Sequence, residues 1–262
     1  MKIIDAHTHI FPDKIAVKAS GNIGAFYGIS MHTDAKVSTL LKQEASIGAS
    51  GFLVCSSAVT ADQTAHINDF IAASCREHPQ MIGLGALHPD FPSIIDELDR
   101  ILEMGLIGIK FHPDFQKFAI DDDRAIPMYR EIAKRGLPVL FHMGDRRYDF
   151  TGPQRLKNLM LRVPDLRVQA AHFGGYSQWD EVDCLPVDHE RLVFDTSSSL
   201  AFMDIEKAKR LIDHFGVESF MFGTDFPMWN AQKEVERNLR LGLTDSENKL
   251  LFADNFIRFY GC

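Results

Sequence analysis

Two histidines, His7 and His9, close an apolar N-terminal run, Lys2-Ile3-Ile4-Asp5-Ala6-His7-Thr8-His9-Ile10. Residues two apart on a strand face the same way, so both imidazoles can grip one ion. Imidazole is a common ligand for zinc and suits other first-row metals. The pair alone decides little, because two such histidines can equally be accidental or merely hydrogen-bonded. The same chemistry recurs, however, where later apolar runs end: His88, Lys110 with His112, His142, His172 and Asp225. Six of the eleven histidines therefore fall at the carboxyl ends of predicted strands. Burying six imidazoles separately would be costly, since each ring has two nitrogens to satisfy. A shared metal removes that cost. The other five (His32, His66, His78, His189, His214) fall in predicted helices or loops and read as surface or capping residues.

The elements that must position these side chains alternate strand and helix. Strands are predicted at 2–10, 51–57, 81–87, 106–113, 138–144, 166–173, 192–196 and 219–225. Helical spacing appears over 37–48, 62–77, 93–104, 123–135, 153–162 and 204–215, with two further helices near 231–240 and 245–259. Only a short candidate, Trp179–Leu185, follows the sixth strand. The strands are short and nearly all apolar, as in parallel sheets buried on both faces. Eight such units in 262 residues favour a closed α/β barrel, the (β/α)8 TIM barrel, as one domain over 1–262. Such barrels build their sites at the carboxyl ends of the strands. Residues 11–36, with Gly21, Gly24 and Gly28, read as a long, partly ordered loop after the first strand. An extra helix is expected at the C-terminus.

Composition narrows the partners. Hydrophobic residues make up 45% and charged residues 24%, ordinary values for a globular chain. Lys and Arg number 28 against 36 Asp and Glu, a net charge of −8 with no basic run. Nucleic acid and membrane are therefore excluded as expected partners, leaving a small-molecule substrate. The four cysteines show no CxxC spacing and read as free thiols. No signal peptide or membrane span is evident, so cytoplasm is the expected location.

Taken in order, Asp5-Ala6-His7-Thr8-His9, Gly108-Ile109-Lys110-Phe111-His112-Pro113, His142, His172 and Gly223-Thr224-Asp225-Phe226-Pro227 resemble the amidohydrolase superfamily, in its amidohydrolase-related branch. The resemblance runs from the first strand to the eighth. It implies that His7, His9, His142 and Asp225 hold one divalent metal, with zinc expected and manganese or iron also fitting. It implies too that His172 and Asp225 move protons, and that members often pair as homodimers. A metal-activated water, its pKa lowered to about 7, is the expected nucleophile. Lys110 has three readings: a carboxylated bridge to a second metal, an ammonium gripping substrate, or an internal ion pair. His112 reads as a substrate-orienting donor, and Arg146 or Arg147 as a clamp for an acidic substrate. Phe26, Tyr27, Phe115, Phe173 and Trp229 could wall a pocket. Ser197-Ser198-Ser199 lacks a partnered base and does not read as a nucleophile. The first expectation is hydrolysis of an amide, ester or lactone. The alternative is non-oxidative decarboxylation of a small unsaturated or aromatic acid, and a third reading is a metal-binding barrel without activity.

Overall fold

In the computed structural model, which describes residues 1–262, the apolar runs form β1 (Ile4–His9), β2 (Gly51–Cys55), β3 (Met81–Gly83), β4 (Gly85–Ala86), β5 (Ile109–Phe111), β6 (Val139–Phe141), β7 (Val168–Ala170), β8 (Leu192–Asp195) and β9 (Phe220–Met221). Neighbours pair in parallel and in chain order. β3 and β4 are one barrel strand interrupted at Leu84. Hydrogen bonds continue across the break, from the Leu84 N–H to the Val54 carbonyl (3.0 Å) and from the Gly85 N–H to the Gly108 carbonyl (2.9 Å). Opposite, the Ala6 N–H donates to the Phe222 carbonyl (2.8 Å) and the Asp225 N–H to the His7 carbonyl (2.9 Å), returning the last strand to the first. The fold is the expected TIM barrel.

Alternation along each strand sorts the core into two layers. Leu53, Leu84, Leu140, Val193 and Met221 belong to an inner cluster of 12 buried residues. Their neighbours Phe52, Phe141, Val168 and Phe194 belong to an outer cluster of 49, between strands and helices. Gly83 marks where neighbouring side chains crowd the sheet. A Cβ there would sit 2.6 Å from Leu106 Cδ2 and 2.9 Å from Ile71 Cγ2, so no side chain fits. The C-terminal helix Asn255–Tyr260 sends Phe256 and Phe259 into the inner cluster. No helix is long and apolar enough to cross a membrane.

One expectation fails. Residues 13–27 are not loop but a 15-residue helix, Asp13–Tyr27, ended by Gly28 at a φ of 67°. Gly21 and Gly24 suggested a breaker because each glycine costs about 1 kcal/mol of helix propensity. At Gly24 packing decides instead: a Cβ would lie 2.6 Å from the Ile29 carbonyl oxygen. This helix lies over the carboxyl ends of the strands. The sixth connection is, as expected, only a short turn, Trp179–Cys184.

Beneath the site, the carboxyls of Asp5 and Glu44 are both buried and near enough to repel one another. Burial raises Asp5 to about 7, against two N–H bonds of 3.0 Å from His7 and Thr224. Burial, then repulsion from Asp5, pushes Glu44 up as well. Carboxyls raised in the folded state contribute stability that is complete below their unfolded pKa, near 4, and is lost as pH rises through about 7. Glu44→Gln is therefore expected to raise Tm at pH 8, by about 2–4 °C per kcal/mol relieved, and to leave it nearly unchanged at about pH 4, below the unfolded pKa. Thermal unfolding at both pH values checks this; equal shifts would contradict it.

Candidate active site

The strands deliver their last residues to one end of the barrel. His7 and His9 come from β1 and Lys110 from β5, while His112, His142 and His172 follow β5, β6 and β7. Asp195 ends β8, and Asp225 stands four residues beyond β9. His172 and Asp225 have left-handed backbones, with φ of 61° and 57°, as does Ser198 at 49°. For non-glycine residues that conformation costs about 1–3 kcal/mol and persists where surrounding structure enforces it, commonly at functional sites.

Three donors converge directly. The His7 and His9 Nε2 atoms lie 3.1 Å apart, and Asp225 Oδ1 is 3.2 Å from His9 Nε2 and 3.7 Å from His7 Nε2. Lys110 Nζ also reaches His7 Nε2, at 3.1 Å. Their partners set the tautomers. Asp195 Oδ2 accepts from His7 Nδ1 at 3.0 Å, so His7 Nε2 presents a lone pair to the cluster. Cys55 Sγ lies 3.5 Å from His9 Nδ1 and donates to the Thr8 carbonyl, leaving sulfur to accept from His9. The Ser197 carbonyl accepts from His172 Nδ1 at 3.0 Å, so His172 Nε2 accepts from His142 Nδ1, also at 3.0 Å. Such carboxylate–imidazole and carbonyl–imidazole pairs are the usual supports of metal-ligating histidines.

Electrostatics agree with that role. Burial first, then the nearby Lys110 charge, lowers His7 to about 4, so its ring is neutral at pH 7. Burial opposes charge on His9, but Cys55 and Asp225 outweigh it and raise His9 to about 9. Burial would raise Asp225, yet the His9 hydrogen bond and the charges of His7 and His172 hold it well below the usual carboxylate range. Burial lowers Lys110. The His7 lone pair and the ionised Asp225 carboxylate, joined by His9 once it gives up its proton, fit a divalent cation by donor chemistry.

The amidohydrolase family model matches residues 4–262. The chain belongs to the amidohydrolase family. It is 26% identical over 245 residues to 2-amino-3-carboxymuconate-6-semialdehyde decarboxylase of Dictyostelium discoideum, covering 76% of this chain and 67% of that protein. Among solved structures, a dihydroxybenzoic acid decarboxylase of Polaromonas sp. JS666, with bound manganese and the inhibitor 2-nitroresorcinol, superposes with a TM-score of 0.76 at 14% identity, over 99% of this chain and 97% of that one. A probable 2-pyrone-4,6-dicarboxylic acid hydrolase of Acinetobacter baumannii, with citric acid bound, gives 0.75 at 14% identity over 100% of both chains. The amidohydrolase resemblance read from the motifs thus holds for the whole barrel.

Within this amidohydrolase the sequence-named residues fare unequally. His7, His9 and Asp225 meet. His142 lies one ring away, against His172, with its Nε2 facing Tyr27 OH (3.2 Å) and Asp114 Oδ2 (3.3 Å). Lys110 and His112 line the cavity above the cluster. Arg146 and Arg147 do not. The Arg147 guanidinium is taken by Asp145 (3.0 and 2.7 Å) and by the Phe26 carbonyl (2.6 Å), so it pins the Asp13–Tyr27 helix instead of a substrate. Arg146 is 59% exposed, with Asp180 at 4.0 Å. Trp229 also misses the cavity: its indole N–H donates to Ser198 Oγ (2.8 Å), and Ser198 in turn donates to Asp225. Phe26, Tyr27 and Phe115 are walls, whereas Phe173 packs in the core against Phe220. His88 makes a structural bond, accepting from the Asp90 N–H at 3.2 Å.

Sequence reasoning missed Asp195, Asp114 and Cys55. Asp195 had a signal, an acid closing the apolar run Leu192-Val193-Phe194. Asp195 is held well below its ordinary pKa because His7 and Ser197 outweigh the opposing effect of burial. Asp195→Asn can donate to His7 Nδ1 and so turn a proton toward the cluster. Metal affinity is expected to fall about 10–100-fold. Metal titration checks this, and unchanged affinity would remove Asp195 from the role.

Proposed function

We propose that this amidohydrolase is a metal-dependent carboxy-lyase acting on a small unsaturated or aromatic acid. The observation that carries the reading is its 26% identity, across 76% of the chain, to a decarboxylase. This moves the balance from hydrolysis, the first expectation of the sequence, to its alternative. The cavity supports it physically. A chamber of about 700 Å³ with Phe26, Tyr27 and Phe115 on its walls suits a flat ring, and Lys110 and His112 at its floor suit a carboxylate and a neighbouring oxygen.

The reaction balances simply. The bond between carbon and carboxylate breaks, carbon dioxide leaves, and the electron pair left on carbon takes up one proton. Asp225 and His172 are the groups placed to carry that proton, both lining the cavity. Lys110, its charge unpaired by any carboxylate within 4.0 Å, holds the acid. A divalent ion at His7, His9 and Asp225, with His142 beside them, would supply positive charge to offset that of the acid's oxygens. Zinc and manganese both suit these donors.

The test is direct. Protein loaded with manganese or zinc is incubated with 2,6-dihydroxybenzoate, with a carboxymuconate-type acid, and separately with a pyrone lactone. Carbon dioxide from at least one of the two acids is the expected result. Ring-opened lactone without carbon dioxide would overturn the reading in favour of hydrolysis.

A further inference from the structure

The cavity is larger than the reaction requires. An enclosed space of about 150 Å³ accommodates benzene, whereas this chamber measures about 700 Å³. Much of its lining comes from elements that carry none of the cluster residues. The Asp13–Tyr27 helix turns Ala16, Ser20 and Gly24 to the protein and lends Ile15, Ile23 and Phe26 to the chamber. Opposite stand Ile67 and Phe70, from the helix Thr64–Glu77. Phe115 joins the two zones, edge-on to Phe26 at 4.7 Å and stacked on His112 at 3.7 Å.

Charge is distributed just as unevenly. The buried cationic side chain in the lining is Lys110, at the floor. Asp62, His66 and Lys117 are solvent-exposed at the mouth. Arg147, which could have met a second carboxylate, is held by Asp145 and the Phe26 carbonyl. A second carboxylate lodged between floor and mouth would lose its hydration and meet no second buried cation, only neutral groups such as Asn22, Ser57 and Gln63.

We propose that this outer chamber is a subsite for the apolar body of a monocarboxylic acid, such as a second ring or an alkyl chain, and that the enzyme selects against dicarboxylates. This rests on the carboxy-lyase reading for the end of the substrate that reacts, while the subsite itself is defined by its lining. It separates the chain from relatives whose names specify dicarboxylic or carboxymuconate compounds.

The experiment measures equilibrium binding of three unreactive acids to the manganese-loaded protein by calorimetry: benzoate, 2-naphthoate and isophthalate. Naphthoate is expected to bind at least tenfold more tightly than benzoate, and isophthalate more weakly than benzoate. Ile23→Asp should erase the naphthoate advantage and leave benzoate within about threefold. Ile15→Ser, at a site 49% exposed, gives a weaker loss in the same direction should the first variant fold poorly. Equal affinity for benzoate and naphthoate, or preferred isophthalate, would overturn the subsite. Naphthoate preference without carbon dioxide release from any acid would defeat the carboxy-lyase reading and leave the subsite standing. Release from dihydroxybenzoate without naphthoate preference would do the reverse.

Discussion

Asp225→Asn is expected to lower carbon dioxide release by about 10²- to 10⁴-fold, the usual contribution of a positioned proton carrier, while leaving most of the metal in place. Asparagine keeps an oxygen where Asp225 Oδ1 stands, 3.2 Å from His9 Nε2. It keeps the second position too, where Ser198 is itself held by the Trp229 indole. What it lacks is basicity. In the wild type burial opposes ionisation, but the His9 hydrogen bond leads the contacts that outweigh it and keep this carboxylate ionised. Steady-state kinetics with metal analysis of the same sample separates the two effects. Unchanged turnover would remove Asp225 from proton transfer, and loss of the metal would make it chiefly a ligand.

The second large effect concerns pH. In the metal-free protein His9 sits at about 9, because Cys55 and Asp225 outweigh burial, and it is therefore an imidazolium at neutral pH. A ligand histidine must be neutral, so binding an ion expels that proton. His7, lowered to about 4 by burial and Lys110, has no proton to lose above pH 5. Asp225 is likewise ionised already. Metal affinity should therefore weaken as pH falls, about tenfold per unit, or about 100-fold between pH 8 and pH 6. Calorimetry in two buffers of different ionisation enthalpy should count about one proton released per ion at pH 7. Affinity independent of pH across that range would contradict the assignment of His9 as a ligand.

The strands were legible because both their faces are buried, so runs such as Val139-Leu140-Phe141 carry no competing polar pattern. The histidines were legible for a related reason: each interrupts such a run where the barrel opens. Three parts were not. The Asp13–Tyr27 helix was hidden by Gly24, whose value lies in a close approach to Ile29 that local propensity does not express. Asp195 was hidden inside its strand, since its importance comes from His7, 188 residues away. Arg147 resembled a substrate clamp because composition shows a free cation. Only the fold shows that Asp145, two residues earlier, captures it while the Phe26 carbonyl completes the contact. In each case a contact that only the folded chain makes reassigned the residue.

Diffraction data collected at the absorption edge of manganese or zinc, from crystals grown with that metal, test the central claim most directly. One strong anomalous peak is expected, bonded to His7 Nε2, His9 Nε2 and an Asp225 oxygen, with His142 beside it. A peak that avoids those three donors, or its absence from fully loaded crystals, would contradict it.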